Sequence, residues 1–304
     1  MRKTLLATQL ALALLATAPA AWASAAQPTA SLLERAGAPA PDVVQHFVDA
    51  GMREVRPHEL DAGERRQVEA ALAALPELHR RVLEKRLRRL GFVDGIPGAG
   101  TGLTSAVEGS GQFDITLRAS ILKESLGQFL STKEKRLFAD DGSGHSVSIE
   151  ASGMDALGYV LLHEASHVVD MALGITEDRQ APLVRGIWAG GRELAPALAA
   201  SPAAATPFRR APALPAARAR AVYDALADTP FVSLYATAAA GEDFAELVSW
   251  HEIARRHGGK LAILIRDAKG ATVARYAPLD FPAVRARWPE VERLLRVQDG
   301  DGIR

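Results

Sequence analysis

Residues 157–173 combine an apolar helix pattern with side chains that resist burial. Tyr159, Val160, Leu161, Leu162, Val168, Val169, Met171 and Leu173 surround His163, Glu164, His167 and Asp170. A helix that is apolar nearly all round belongs in a protein interior. Two imidazoles and two carboxyl groups buried there without partners would each cost several kcal/mol, so the fold has to supply those partners. At about 100° per residue, His163 and His167 lie about 40° apart on such a helix, and Asp170 lies about 20° to the other side of His163. Both imidazoles can therefore reach one ion. The run His163-Glu164-Ala165-Ser166-His167 is HExxH, with about 0.01 matches expected by chance in a chain of this composition. On a helix this spacing binds Zn²⁺ through the histidines and leaves the glutamate, Glu164, as general base. A metal-free arrangement, with both histidines bonded to buried carboxylates, would meet the same demand.

The rest of the chain narrows the setting. With no cysteine among 304 residues, any metal must sit on His, Asp or Glu, and disulfides are excluded. Hydrophobic residues make up 48% and charged residues 24%, which suits a globular protein and argues against wholesale disorder or a multi-span membrane protein. Lys+Arg and Asp+Glu both total 36, a balance that gives nucleic acid no handle. Arg2 and Lys3 precede an apolar run over residues 5–18, followed by small residues around Ala21, Ala23 and Ala25. That is the pattern of a secretory signal peptide over residues 1–23, too short to span a membrane and without a lipid-bearing cysteine. The expected location is periplasmic or extracellular, with no stable membrane insertion after cleavage.

Residues 24–60 read as a linker or N-terminal arm, because the Ala/Pro-rich start has little periodicity. Residues 61–190 read as N-terminal helices and the lobe carrying HExxH. Asp61 with Glu64 forms a capping box ahead of one helix, and a second is expected from Glu77 to a stop at Gly91. Its arginines and Lys85 read as a solvated face. Seven glycines between Gly91 and Gly111 predict a long flexible loop. The alternation over residues 113–118 predicts a half-buried strand, and a helix over about 120–138 and a short strand over 145–150 follow. Residues 191–217, with five prolines from Pro196 to Pro215, read as an insertion between two lobes. Residues 218–304 read as a C-terminal lobe: helices near 218–227, 241–257 and 283–295, with a hairpin pairing 261–266 and 271–276.

A catalytic zinc needs a third protein ligand and an open position. The extended metzincin motif would require glycine at position 170 and histidine at 173, where this chain has Asp170 and Leu173. Glu242 and Glu246 stand one turn apart at the start of an apolar-patterned helix, so one can bind zinc while the other orients a ligand histidine. Acidic residues that merely favour a helix N-terminus would look the same. His251, nine positions from Glu242, falls about 180° away and is assigned to the opposite face.

HExxH followed by this Glu-x-x-x-Glu pair resembles the gluzincin arrangement. Phe231 to Glu246, including Tyr235 and Gly241, together with His163 to Asp170, is similar to the anthrax lethal factor-like zinc peptidase group. The resemblance spans roughly residues 113–256. It implies Glu242 as third zinc ligand, Glu246 and Asp170 as outer residues behind the ligands, and Tyr235 facing the oxyanion. It further implies a zincin-like fold: α+β, predominantly helical, with a small sheet beside the HExxH helix and a helical C-terminal lobe supplying Glu242. The activity expected is zinc-dependent hydrolysis of a peptide or protein substrate, with strand 113–118 offering its edge to an extended peptide. A catalytically silent zinc-binding interaction module, or a metal-free interaction protein, would carry the same residues without the chemistry.

Overall fold

The computed structural model describes residues 31–98 and 100–296, so the leader expected over residues 1–23 lies outside the described residues. From its first described residue the expected loose arm is part of the fold. Ser31 and Glu34 close a capping box on the 3-10 turn Leu32–Arg35. The Arg35 guanidinium then donates to the carbonyl oxygens of Leu83, Leu87 and Glu84 at 3.0, 2.6 and 2.9 Å. An arginine fork that satisfies carbonyls at the end of a distant helix is a tether that composition does not reveal. β1 (Ala36–Gly37), α1 (Pro41–Asp49) and β2 (Arg53–Pro57) follow.

α2 (Ala62–Ala74) begins as its sequence predicts: Asp61 accepts from the Gly63 and Glu64 N–H groups, and Glu64 accepts from the Asp61 N–H. α3 (Glu77–Arg86) ends earlier than expected. Leu87–Ile96 is not helix but β3, hydrogen-bonded to β1 and β2 on one edge. Leu87, Leu90, Phe92 and Val93 are buried, so the apolar stripe read as a helix face belongs in part to a strand covered on both faces. Gly91 serves close approach rather than a helix stop, since a Cβ there would lie 2.8 Å from the Pro39 Cα.

The glycine-rich stretch is likewise ordered. β4 (Gly102–Val107) and β5 (Gln112–Arg118) form an antiparallel hairpin, with Gly109 and Gly111 at positive φ in its turn. β3 runs parallel to β5, completing a five-stranded sheet of path β1-β3-β5-β4 with β2 paired to β3 off that path. The expected strand 113–118 is thus present, but Phe113–Arg118 is buried throughout and flanked on both edges. The edge beside the HExxH helix belongs to β4, which corrects the expectation that strand 113–118 offers it. Of the basic residues expected on one solvated helix face, Arg88 lies on β3, where its Nε donates to Asp114 Oδ1 at 2.9 Å.

α4 (Leu126–Lys135), capped reciprocally by Ser125 and Gln128, leads through β6 (Phe138–Ala139) to β7 (Ser146–Ala151). α5 (Ala156–Leu173) carries HExxH. It starts at Asp155, which accepts from the Gly158 N–H, and stops at Gly174 in the left-handed region (φ 65). The Ala/Pro-rich stretch holds α6 (Pro196–Ala199) and β8 (Leu214–Pro215), the latter paired with β6. α7 (Ala219–Ala227) and α8 (Ala240–Arg256) follow, with α8 packed on α5. The expected hairpin forms as β9 (Leu261–Arg266) and β10 (Thr272–Tyr276), and β9 also pairs with β7. The single last helix expected over 283–295 is two, α9 (Pro282–Arg285) and α10 (Trp288–Leu295). Pro289 starts a new first turn, and between the helices Arg287 turns inward to bind both Asp243 carboxylate oxygens, at 2.8 and 2.9 Å. The outcome is α+β and predominantly helical, with small sheets and a helical C-terminal region. Among the described residues, no helix is long and apolar enough to cross a membrane.

A polar pair joins α3 to the buried side of α5. His79 Nε2 lies 3.0 Å from Ser166 Oγ, and the Ser166 hydroxyl donates to Leu162 O at 2.8 Å. Burial lowers the His79 pKa from 6.5 to about 4, against an opposing pull from Glu252. Between pH 6.5 and 4 the unfolded chain therefore binds the proton that the folded chain refuses. This contribution to stability is complete above 6.5 and is lost as pH falls, by up to about 3 kcal/mol. Urea midpoints at pH 7 and pH 4.5 should fall more steeply for the parent than for His79→Gln; equal slopes would remove His79 as the cause.

Candidate metal centre

His163 and His167 occupy successive turns of α5, with ring centroids 4.9 Å apart and nearly perpendicular planes. The first turn of α8 brings up Glu242, whose Oε2 lies 3.0 Å from His163 Nε2 and 3.5 Å from His167 Nε2. One ligand atom from each residue falls within 4.8 Å of the others, so His163, His167 and Glu242 form a group that could hold a metal ion. Two imidazoles and a carboxylate are a donor set suited to a divalent transition metal with a fourth position open.

Glu246, one turn further along α8, is 1% exposed and lies behind the first histidine. Its Oε1 is 3.3 Å from His163 Nδ1 and accepts from the Tyr159 hydroxyl at 2.5 Å; Oε2 accepts from Ser233 Oγ at 2.6 Å. Lys133 Nζ approaches Oε1 at 3.5 Å. Burial opposes ionisation of Glu246, but Lys133, His163 and Ser233 together hold its pKa at about 2. Asp170 accepts from the Thr176 N–H and Oγ1, both at 2.7 Å. A Cβ on Gly241 would stand 3.4 Å from Asp170 Oδ2 and 3.6 Å from His167 Nδ1, so both side chains border the start of α8.

Glu164 points the other way, towards the sheet. The Thr104 hydroxyl of β4 lies 2.7 Å from Glu164 Oε2 and 3.1 Å from its carbonyl oxygen. Glu164 Oε1 lies against Gly102, where a Cβ would come within 2.4 Å, so a side chain at position 102 would displace the carboxylate. Tyr235 stands in a 3-10 turn ahead of α8, stacked on His163 at 5.9 Å and edge-on to Phe208 at 4.8 Å. Lys133 Nζ sits 3.3 Å from the Tyr235 ring centroid. Burial, then the charges of Glu242, Glu164 and Glu246, push the phenol well above its ordinary pKa, so it stays protonated. His163, Glu164 and Tyr235 open on a cavity of about 390 Å³.

Every residue the sequence singled out for the site is therefore within this cluster or, for Asp170, at its border. His251 is outside it, near Glu252, Glu292 and Trp288. Thr104, Lys133, Tyr159 and Ser233 were missed. Tyr159 had a signal, since it precedes His163 by one helical turn; Thr104 and Lys133 had none, being brought in from distant elements. Residues 191–217 are more than an insertion between lobes: Phe208 lines the cavity, and Arg209 donates to the Thr237 and Arg192 carbonyls at 2.6 and 3.1 Å. The chain matches no known family model, no curated protein and no solved structure in the comparisons.

Burial alone would lower the His163 pKa, but the facing carboxylates of Glu242 and Glu246 outweigh it and raise the value to about 9. Metal uptake at neutral pH must therefore displace a proton from His163. Below pH 9, affinity should fall about tenfold per unit for that one proton. Calorimetric titration with Zn²⁺ at pH 7, in buffers of different ionisation enthalpy, should show at least one proton released per ion; no release would contradict this assignment.

Proposed function

We propose that the protein is a periplasmic or secreted zinc peptidase of the gluzincin type. The observation that carries the reading is the meeting of His163, His167 and Glu242, with His163 and the neighbouring Glu164 lining a cavity. Zinc held by those three residues would supply Lewis acidity and lower the pKa of a coordinated water. Glu164 takes the proton of the attacking water. Thr104 holds Oε2, leaving Oε1, over Gly102, as the atom that receives the proton and later delivers it to the leaving amine. The neutral Tyr235 hydroxyl donates to the oxyanion that develops at the cleaved carbonyl. The ionised Glu246, 3.3 Å from His163 Nδ1, keeps the ring proton on Nδ1 and leaves Nε2 free to bind the metal. The edge of β4, beside α5, offers backbone groups to an extended peptide. The expected leader over residues 1–23 supports export.

Elemental mass spectrometry on the parent and Glu242→Ala, purified side by side without added metal, tests the ligand set. About one zinc per parent chain and a much weaker hold in the variant are expected; no zinc in the parent even after reconstitution would sink the reading. Glu164→Gln should keep zinc and lose about 10²- to 10⁴-fold in turnover of a peptide library. Zinc without hydrolysis in the parent would favour the silent zinc-binding module instead.

A further inference from the structure

The cavity beside Glu164 extends from the candidate metal centre between α4 and the end of β5, and its lining is lopsided in charge. Phe129, Leu137, Val160 and Phe208 make apolar walls, while Arg118, Lys133 and Arg136 contribute cations. Glu164 is the one carboxylate among the lining residues. Lys133 is committed to Glu246 and Tyr235. Arg118 is not fully used. It is 7% exposed, and Glu124 clamps it end-on through Nη1 and Nη2, with Ser120 taking the second Nη1 hydrogen.

A guanidinium has five N–H groups. The two left over are Nε–H and the outer Nη2–H, neither with a partner among the described residues. They point the same way and form the side-on fork that matches a carboxylate. A buried arginine fixed by an acid, standing on a cavity wall with this fork unspent, is suited to act as a preorganised anion receptor. Arg136 adds a second positive charge at the exposed rim, its Nη2 bonded to Gly98 O at 2.9 Å. The apolar walls would cover a short aliphatic stem.

Resting on the peptidase reading, we infer that this cavity selects substrates carrying a carboxylate on the leaving-group side of the cut. The side follows from Glu164, which lines the cavity and returns the proton to the leaving amine. The carboxylate can come from a Glu or Asp side chain next to the scissile bond or from a chain terminus close to it. The two sources share one chemistry and are separated by experiment.

The test measures binding and cleavage independently. Catalytically disabled Glu164→Gln protein is titrated calorimetrically with hexapeptides that differ at one central residue, Glu, Gln or Leu, each with a free-acid or an amidated C-terminus. The expected result is binding at least tenfold tighter for a carboxylate peptide than for its neutral counterpart, weakened by added salt. A gain that follows the Glu/Gln exchange assigns the side chain; one that follows acid/amide exchange assigns the terminus. In the same background, Arg118→Lys, which keeps charge but loses the fork, and Arg136→Gln, a surface change that spares the core, should each erode the preference. Equal affinities for charged and neutral peptides, or a preference untouched by both variants, would overturn the inference. Products of the zinc-loaded parent, mapped by mass spectrometry, separate the two readings. Cleavage without carboxylate preference leaves the peptidase and removes the subsite. Carboxylate-selective binding without any cleavage keeps an anion receptor and removes the peptidase.

Discussion

Glu246 is a carboxylate in the middle of an apolar helix pair, and much of the site depends on how it is satisfied. Burying an ionised carboxyl costs several kcal/mol unless every lone pair is engaged. Here the engagement comes from four directions: Tyr159 and His163 on α5, Ser233 ahead of the Tyr235 turn, and Lys133 on α4. Ser233 also accepts from the Ala236 N–H at 3.1 Å, so the same hydroxyl that donates to Glu246 shapes the turn presenting Tyr235. A single buried charge thereby sets the register of α8 on α5, the orientation of a candidate ligand histidine and the seat of the tyrosine. The pair Asp243–Arg287 does similar work one residue after Glu242, anchoring the start of α8 to the loop before α10 and, through Trp188 Nε1 at 2.9 Å, to the chain after α5.

The site is assembled from both sides of α5. One side meets α8 and receives Glu242 and Glu246. The other meets β4, where Gly102 and Thr104 leave room for Glu164 and fix one of its oxygens. The buried rear of the helix is used as well, because Ser166 answers His79. The two residues between Glu164 and His167 are thus set by packing: Ala165 is fully buried and Ser166 is a core hydrogen-bond partner.

Several elements were legible from local rules. The Asp61/Glu64 capping box, the hairpin of β9 with β10 and the helix over HExxH follow from spacing and turn chemistry acting within a few residues. The site residues His163, Glu164, His167, Glu242 and Glu246 were legible too, because two pairs at one-turn spacing in apolar surroundings leave few explanations. The failures share a cause. Leu87 to Leu90 continues a stripe compatible with helix, and Gly91 to Gly111 has the composition of a loop, yet both contribute to a sheet that joins separate parts of the chain. Pairing energy of that kind has no signature within either segment. The order of the arm at Ser31–Gly37 and of the Ala/Pro-rich stretch has no local signal for the same reason, since Arg35, Arg209 and Phe208 reach distant partners.

The sequence by itself determined that an apolar helix would present two imidazoles on one face with a glutamate beside them, and that an acidic pair one turn apart would wait on a later helix. Those properties follow from 3.6 residues per turn and from the cost of leaving such groups unpaired in an interior. Tertiary structure alone decided that Glu242 meets both histidines while Glu246 stays behind His163, that β4 rather than β5 borders Glu164, and that Arg118 reaches the cavity wall with two N–H groups unspent. Each depends on the relative placement of elements 60 or more residues apart, or on which hydrogen bonds remain unspent, and a linear pattern contains neither.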